Sequence, residues 1–237
     1  MENKLYGKKI IWDGDSIGIG LVETGSWATR IAENNSMTCK NYARGGGTIV
    51  EGLPKMKNGA DRHSVSVNLE KMYEEHPDAD YIILQGGAND SVLLGNVYKN
   101  EPNKLGTFEA FKFDGDYDVT TFSGALESVF YRALKYWNGK KIGFIVAQKC
   151  RRKEHIFLNR RIYFDRAVEI CEKWGIPYID LWRDTYMNPN LPNMYDPTKT
   201  AEENKAENVC YYYDNVHLTS RGYDFSSEAI ETWLKTL

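Results

Sequence analysis

A serine, a histidine and an aspartate in this chain have the types and the spacing that nucleophilic catalysis requires. Ser16 ends the segment Asp-Gly-Asp-Ser at positions 13–16, and Asp214 and His217 stand three residues apart near the other end of the chain. A serine hydroxyl is a weak nucleophile until a base takes its proton, and the base needs a third group to orient it. These residues therefore predict a serine nucleophile with a histidine base. Taken alone, each segment has a plainer interpretation, a capped turn for the first and a structural histidine for the second.

Two glycine-bearing segments between them could stabilise an oxyanion. Positions 41–48 contain the run Gly45–Gly47, and positions 85–90 contain Asn89 directly after two glycines and an alanine. Acyl transfer passes through a tetrahedral oxyanion, and preorganised hydrogen-bond donors around it usually make the largest catalytic contribution. A glycine N–H and the Asn89 side-chain amide would supply such donors. Ordinary turn chemistry is the alternative for either segment alone.

In this order and combination, the four segments resemble those of the SGNH hydrolases, the GDSL-type esterases and lipases. The resemblance extends over nearly all of the 237 residues. It implies that Ser16 is the nucleophile, that His217 is the general base and that Asp214 orients the histidine. It also implies an oxyanion hole formed by the N–H groups of Ser16 and Gly46 and by the Asn89 amide.

The sequence departs from the family pattern at one of these segments and is ambiguous at another. Ile17 stands where the family has a leucine after Gly-Asp-Ser. The run Gly45–Gly47 leaves the donor glycine ambiguous by one position. We select Gly46 because it stands five residues after Asn41, as in family members with an Asn-x-x-x-x-Gly pattern.

Strand and helix signals alternate along the chain that must position these residues. Predicted strands cover residues 9–12, 38–43, 81–84, 142–147 and 176–181. Predicted helices cover residues 24–34, 66–75, 122–137 and 164–174, and a last helix is capped by Thr219 or Ser220. This alternation predicts an α/β fold with a five-stranded parallel sheet between two helical layers. The family resemblance implies a flavodoxin-like three-layer α/β/α sandwich, in one domain that covers residues 1–237.

The predicted strands also differ in where they should lie in the sheet. The strand at 38–43 is short of apolar residues, and the strand at 176–181 contains Pro177, which has no N–H to donate to a neighbour. We expect the first of these strands at a sheet edge, and Pro177 places the second either at an edge or with the proline at its start.

Two long connections, at about 94–121 and 183–213, follow predicted strands and are expected at the carboxyl edge of the sheet, where α/β proteins bind ligands. Lys149, Arg151 and Arg152 follow the fourth strand and would either face that rim or form a solvated charged run. The run Tyr211–Tyr213 would either stack on a sugar ring or pack the loop beneath it.

Composition argues against several classes of protein. The net charge is −3, which is not that of a nucleic-acid-binding protein. The longest apolar stretches, such as residues 142–147, are far shorter than the roughly 18 residues that a membrane span needs. The four cysteines are widely spaced, which predicts free thiols. About seven residues precede the first strand, so we expect no signal peptide and a cytoplasmic protein, the alternative being a leader that was removed.

Motifs for cofactors and metals fail on inspection. Residues 18–23 lack the third glycine of a dinucleotide fingerprint. Residues 114–118 imitate the start of a calcium loop, but its twelfth position is Ala125 rather than glutamate. His63, His76 and His155 have no companions at ligand spacing, so core or surface roles are expected. The sequence implies no cofactor.

The expected activity is that of a cofactor-free serine esterase acting on small acyl esters through an acyl-enzyme. An acetyl group on a carbohydrate is favoured because the long connections are polar and rich in aromatic residues, which suits a saccharide ester. An acyltransferase would use the same residues and pass the acyl group to another alcohol. A non-catalytic ligand-binding module of flavodoxin-like shape is the second alternative.

Overall fold

The five strands of the computed structural model, which describes residues 3–237, form one all-parallel sheet. In chain order they are β1 (Lys9–Asp13), β2 (Thr38–Asn41), β3 (Tyr81–Gln85), β4 (Lys141–Val146) and β5 (Tyr178–Asp180). Their order in the sheet is β2-β1-β3-β4-β5, the flavodoxin-like order. The predicted fold class is therefore confirmed. The polar strand β2 and the strand next to Pro177, β5, form the two edges, as expected.

Eight helices lie within the described residues. They are α1 (Ser16–Ile19), α2 (Trp27–Asn34), α3 (Val65–Glu75), α4 (Asp90–Leu93), α5 (Phe122–Tyr136), α6 (Glu154–Trp174), α7 (Ala201–Glu207) and α8 (Ser220–Leu234). Helices α2 and α8 pack together, and α5 packs against both α3 and α6. The connection from β1 to β2 runs along the sheet in the direction opposite to that of the later connections. Because parallel crossovers are right-handed, the pair α2 and α8 covers one face of the sheet, and the group α3, α5 and α6 covers the other.

Several helix boundaries differ from the predicted ones for physical reasons. Helix α2 begins at Trp27 rather than 24, because Ser26 caps it by accepting a hydrogen bond from the Thr29 N–H at 3.2 Å. Helix α6 begins ten residues before the predicted start at 164. Its first half buries polar Asn159 and Arg160, so the apolar periodicity begins late. Helix α7, within the 183–213 connection, was not predicted.

The apolar residues of the central strands form the core. All five residues of β3 are buried, as expected for a sheet covered on both faces. None of the four cysteines, all of them in the described part of the chain, forms a disulfide. None of the helices within residues 3–237 combines the length and apolar composition that crossing a bilayer requires.

The strand order places the predicted site at the carboxyl ends of β1 and β3. Strand β1 lies between β2 and β3, so the connection after β1 runs toward β2 and the connection after β3 runs the other way, toward β4. This opens a crevice at their carboxyl ends, the usual ligand site of such sheets. Ser16 follows β1, the run Gly45–Gly47 follows β2 and Asn89 follows β3.

Candidate active site

Ser16, His217 and Asp214 form one hydrogen-bonded chain. The Ser16 Oγ lies 2.8 Å from the His217 Nε2, and the His217 Nδ1 lies 2.8 Å from an Asp214 carboxylate oxygen. When the neutral ring donates its Nδ1–H to the aspartate, Nε2 is left to accept the serine hydroxyl. The structure thus brings together the three residues that the sequence predicted.

The Asp214 carboxylate is fixed on the loop that carries the histidine. Its Oδ1 accepts the N–H groups of Val216 and His217, both at 2.7 Å, while Oδ2 accepts the ring. Burial disfavours the carboxylate, but the bonds from the His217 ring and from the two N–H groups outweigh it and lower the Asp214 pKa. Asp214 therefore stays ionised and able to stabilise a protonated His217.

The end of β1 presents Ser16 through a tight approach to β3. A Cβ on Gly14 would lie 2.4 Å from the Gln85 Oε1 and 3.0 Å from its carbonyl oxygen, so only glycine fits there. The Asp15 N–H donates to the Gln85 Oε1 at 3.0 Å, and its carboxylate caps α1 by accepting the Ile17 N–H at 2.8 Å. Burial raises the Asp15 pKa despite these bonds. Ser16 is consequently the first, half-buried residue of α1.

The three tyrosines before Asp214 pack the histidine loop. Tyr213 stacks on the His217 ring, with ring centroids 5.7 Å apart and planes 14° apart. Tyr212 is fully buried and its hydroxyl donates to the Lys149 carbonyl at 3.0 Å, while Tyr211 packs edge-on against Phe225. These contacts favour the packing interpretation over a sugar-stacking platform.

The glycine run and Asn89 meet beside the nucleophile loop. The Asn89 amide nitrogen donates to the Gly47 carbonyl at 2.8 Å, and the Arg44 N–H donates to the Gly14 carbonyl at 3.1 Å. An amide nitrogen has two N–H groups, so one remains on Asn89 for another acceptor. The Gly47 N–H donates to the Arg44 carbonyl at 3.0 Å, whereas the Gly46 N–H donates to no group within residues 3–237. Of these two glycines, Gly46 is thus the one with an available N–H.

Asp90 was not singled out from the sequence but organises this side of the site. Its carboxylate is fully buried and accepts the backbone N–H groups of Ile49, Val50 and Gly87 at 3.0–3.2 Å. Burial outweighs these bonds and raises the Asp90 pKa to about 6. Asp90 therefore joins the segment after the glycine run to the loop that carries Asn89. The only sequence signal was its position directly after Asn89.

The basic residues after β4 are only partly solvated. The Lys149 ammonium donates to the Trp182 carbonyl, and burial lowers the Lys149 pKa. The Arg151 guanidinium lies 5.7 Å from the centroid of the Tyr195 ring, and Arg152 is exposed.

Among residues 3–237, no cluster of three or more histidine, cysteine or acidic side chains is arranged to bind a metal ion.

Solved structures similar to this chain include known hydrolases. A protein from Lactobacillus plantarum has a TM-score of 0.71 at 21% identity, covering 98% of each chain. A lipase/acylhydrolase from Enterococcus faecalis has a TM-score of 0.58 at 16% identity, covering 97% of this chain and 96% of the other. Est24, a carbohydrate acetylesterase from Sinorhizobium meliloti, has a TM-score of 0.61 at 11% identity, covering 97% and 99%.

At these identities the likeness establishes the fold. The hydrolases among these structures have the SGNH hydrolase fold, and this chain shares it, so the resemblance drawn from the four segments is confirmed at that level. No protein-family model matches the sequence, and no curated protein matches it either.

Proposed function

We propose that this protein is a cofactor-free serine esterase that hydrolyses small acyl esters, with acetyl groups on carbohydrate as the favoured substrate. The single observation that carries the proposal is the hydrogen-bonded chain from Ser16 through His217 to Asp214, with 2.8 Å at each step. A hydroxyl bonded to an imidazole whose far nitrogen is held by a carboxylate is the arrangement that activates a serine.

In the first half of the reaction, the Ser16 Oγ attacks the ester carbonyl carbon while the His217 Nε2 takes its proton. The Asp214 carboxylate stabilises the imidazolium that results. The N–H groups of Ser16 and Gly46 and the remaining N–H of Asn89 bind the oxyanion. The intermediate then collapses, the bond to the alcohol oxygen breaks, and His217 donates its proton to that oxygen.

In the second half, water hydrolyses the acyl-enzyme. His217 takes a proton from the attacking water, whose oxygen bonds to the acyl carbon, and a second tetrahedral intermediate forms in the same oxyanion hole. When it collapses, the Ser16 oxygen leaves and recovers its proton from His217. The products are the free acid and the original enzyme.

Two observations support a small acyl group on a sugar. The similar structure from Sinorhizobium meliloti is that of a carbohydrate acetylesterase. The 183–213 connection is polar and carries Tyr186, which is 84% exposed, and Tyr195, which lies beside the Arg151 guanidinium. Aromatic and polar side chains together suit a ligand with apolar ring faces and many hydroxyls.

The test is a series of p-nitrophenyl esters from acetate to octanoate, assayed beside acetylated xylan with a Ser16→Ala variant as control. We expect the highest kcat/KM for acetate, release of acetate from xylan, and a loss on the order of 10³-fold or more in Ser16→Ala. Full activity in Ser16→Ala would overturn the mechanism, and a preference for octanoate would overturn the substrate. Acyl transfer to an added alcohol in place of hydrolysis would identify a transferase.

A further inference from the structure

A buried carboxylate lies three residues before Ser16. Asp13, the last residue of β1, is 0% exposed. Its Oδ1 accepts the Gly14 N–H at 2.7 Å and the ring of His63, whose Nε2 lies at 2.7 Å; its Oδ2 accepts the Asn68 amide at 2.9 Å. A carboxylate removed from water needs such donors, and bonds to an ionised group are stronger in a poorly solvated setting.

His63 also bonds through its backbone to the segment after the glycine run. The His63 carbonyl accepts the Thr48 N–H at 3.0 Å, and the Thr48 carbonyl accepts the Val65 N–H at 2.9 Å. The Ser64 hydroxyl donates to the Ile49 carbonyl at 3.0 Å. Residues 63–65 therefore run beside residues 48–49, as a short parallel bridge.

The residue before His63 holds the glycine run itself. The Arg62 Nη1 donates to the Gly46 carbonyl at 2.7 Å. Gly46 has a φ of +73°, and a Cβ there would lie 2.9 Å from the same Arg62 nitrogen. The segment 62–65 thus contacts Gly46 within the glycine run and Thr48 and Ile49 just after it. The His63 ring bonds the same segment to Asp13, the last residue of β1.

The segment between β2 and α3 depends on such contacts for its conformation. Residues 42–64, between β2 and α3, contain no helix or strand of the sheet, so side-chain and bridging contacts must fix their conformation. Oxyanion donors act because they are preorganised, and small displacements cost much of their effect. The Asp13–His63 bond adds a side-chain link between the segment that holds the glycine run and the end of β1, beside the direct bond from the Arg44 N–H to the Gly14 carbonyl.

We propose that His63 is a positioning residue that keeps the glycine run in register with Ser16 through the buried Asp13 carboxylate. The inference rests on the proposed function, because it assigns His63 a role in building that oxyanion hole. The ring bonds to Asp13 rather than to Ser16 or His217, so it acts through the loop and not on the substrate.

The test compares His63→Ala, His63→Gln and the control Lys71→Ala, with p-nitrophenyl acetate as substrate and methaneboronic acid as inhibitor. Glutamine places an amide N–H near the position of the imidazole Nε2 and so keeps the bond to Asp13. Lys71 lines the same surface groove as His63, a groove of about 370 Å³, and its ammonium pairs with Glu75 at 3.8 Å. The boronic acid forms a tetrahedral adduct with a serine and reports on the oxyanion hole directly.

In His63→Ala we expect kcat to fall by about 10- to 100-fold with KM changed less than about threefold. Affinity for methaneboronic acid should fall by the same factor as kcat/KM. His63→Gln should recover activity to within about threefold, and Lys71→Ala should match the parent. Asp13 keeps its bonds from Gly14 and Asn68 in these variants, so the fold should persist. Should His63→Ala be unfolded, His63→Asn replaces it, because its amide is too short to reach Asp13.

Parental kcat in His63→Ala, or an equal loss in His63→Gln, would overturn the inference. So would a rise in KM at unchanged kcat. These results are distinct from failure of the proposed function, in which the parent itself would show no Ser16-dependent hydrolysis.

Discussion

Asp90 is a buried ionisable residue directly after Asn89. It is fully buried, and its pKa is raised to about 6 from an ordinary value of 3.8 because burial penalises the charge. A carboxyl group with a raised folded pKa contributes stability that is complete below its unfolded pKa. That contribution is lost as the pH rises through the folded pKa, here between pH 3.8 and about 6.

We therefore predict a pH-dependent difference between the parent and Asp90→Asn. On acidification from about pH 7 to about pH 4, the parent should gain on the order of 2 kcal/mol of unfolding free energy relative to the variant, which cannot titrate. Urea denaturation at the two pH values measures this difference. Asp61→Asn, at a residue whose side chain is 88% exposed, is the control and should track the parent. A parent–Asp90→Asn difference that stays constant over this range would contradict the raised pKa.

The histidine and aspartate that the sequence predicted contact each other across three positions, whereas the site residues that it missed contact partners far away in the sequence. Asp214 and His217 stand in one short motif, so their pairing follows from spacing. Asp90, by contrast, binds N–H groups some forty positions away, at Ile49 and Val50. His63 was assigned a core or surface role because its partner Asp13 lies fifty positions earlier. No local pattern encodes such contacts between loops.

Among the elements, the glycine run shows how three identical residues carry different constraints. A Cβ on Gly45 would meet nothing within 4 Å. Gly46 has a φ of +73°, which disfavours any side chain, and a Cβ on Gly47 would lie 2.6 Å from the Gly14 carbonyl oxygen. Only the second and third positions therefore require glycine.

Alanine substitutions along this run give the corresponding prediction. Gly45→Ala should keep kcat/KM for p-nitrophenyl acetate within about threefold of the parent. Gly46→Ala and Gly47→Ala should lose about tenfold or more, because strain or backbone contact displaces the loop. Equal losses at all three positions, or a loss confined to Gly45→Ala, would contradict the assignment of the donor loop.

The sequence predicted which strands and helices form better than it predicted the residues at which they begin and end. Four of the five strands follow from short apolar runs, whereas β2 is polar, and the parallel sheet follows from the alternation of strands with helices. The start of α6 was missed because its first half buries Asn159 and Arg160. Helix α7 was missed although Thr200 and Glu203 form a capping box, a signal that the sequence does carry.

On the scale of the whole molecule, one buried ion pair fastens the 94–121 connection to the helical layer. The Lys173 ammonium on α6 lies 2.6 Å from a Glu127 carboxylate oxygen on α5, and both side chains are at most 4% exposed. It also donates to the Glu109 carbonyl at 2.8 Å. Aromatic rings surround it at centroid distances of 4.9–5.7 Å, those of Phe108, Phe113, Tyr117 and Trp174.

Removal of this lysine should destabilise the protein markedly. Lys173→Met leaves Glu127 buried without its cation, and breaking a buried pair in this way costs about 3–5 kcal/mol. Urea denaturation should show the loss as a lower midpoint. Lys235→Met, which removes a more exposed partner of Glu231, is the matched control and should lose much less. Equal midpoints for the two variants would show that the buried pair does not hold the connection.

A serine nucleophile at position 16 would react covalently with an electrophilic probe, so covalent labelling tests this role of Ser16. The protein is treated with a fluorophosphonate probe, digested, and mapped by mass spectrometry. We expect one adduct per chain, on the Ser16 Oγ, with none on Ser16→Ala and much slower labelling of His217→Ala, which lacks the base. An adduct on another residue at the same rate, or no adduct on the folded parent, would show that Ser16 is not the nucleophile.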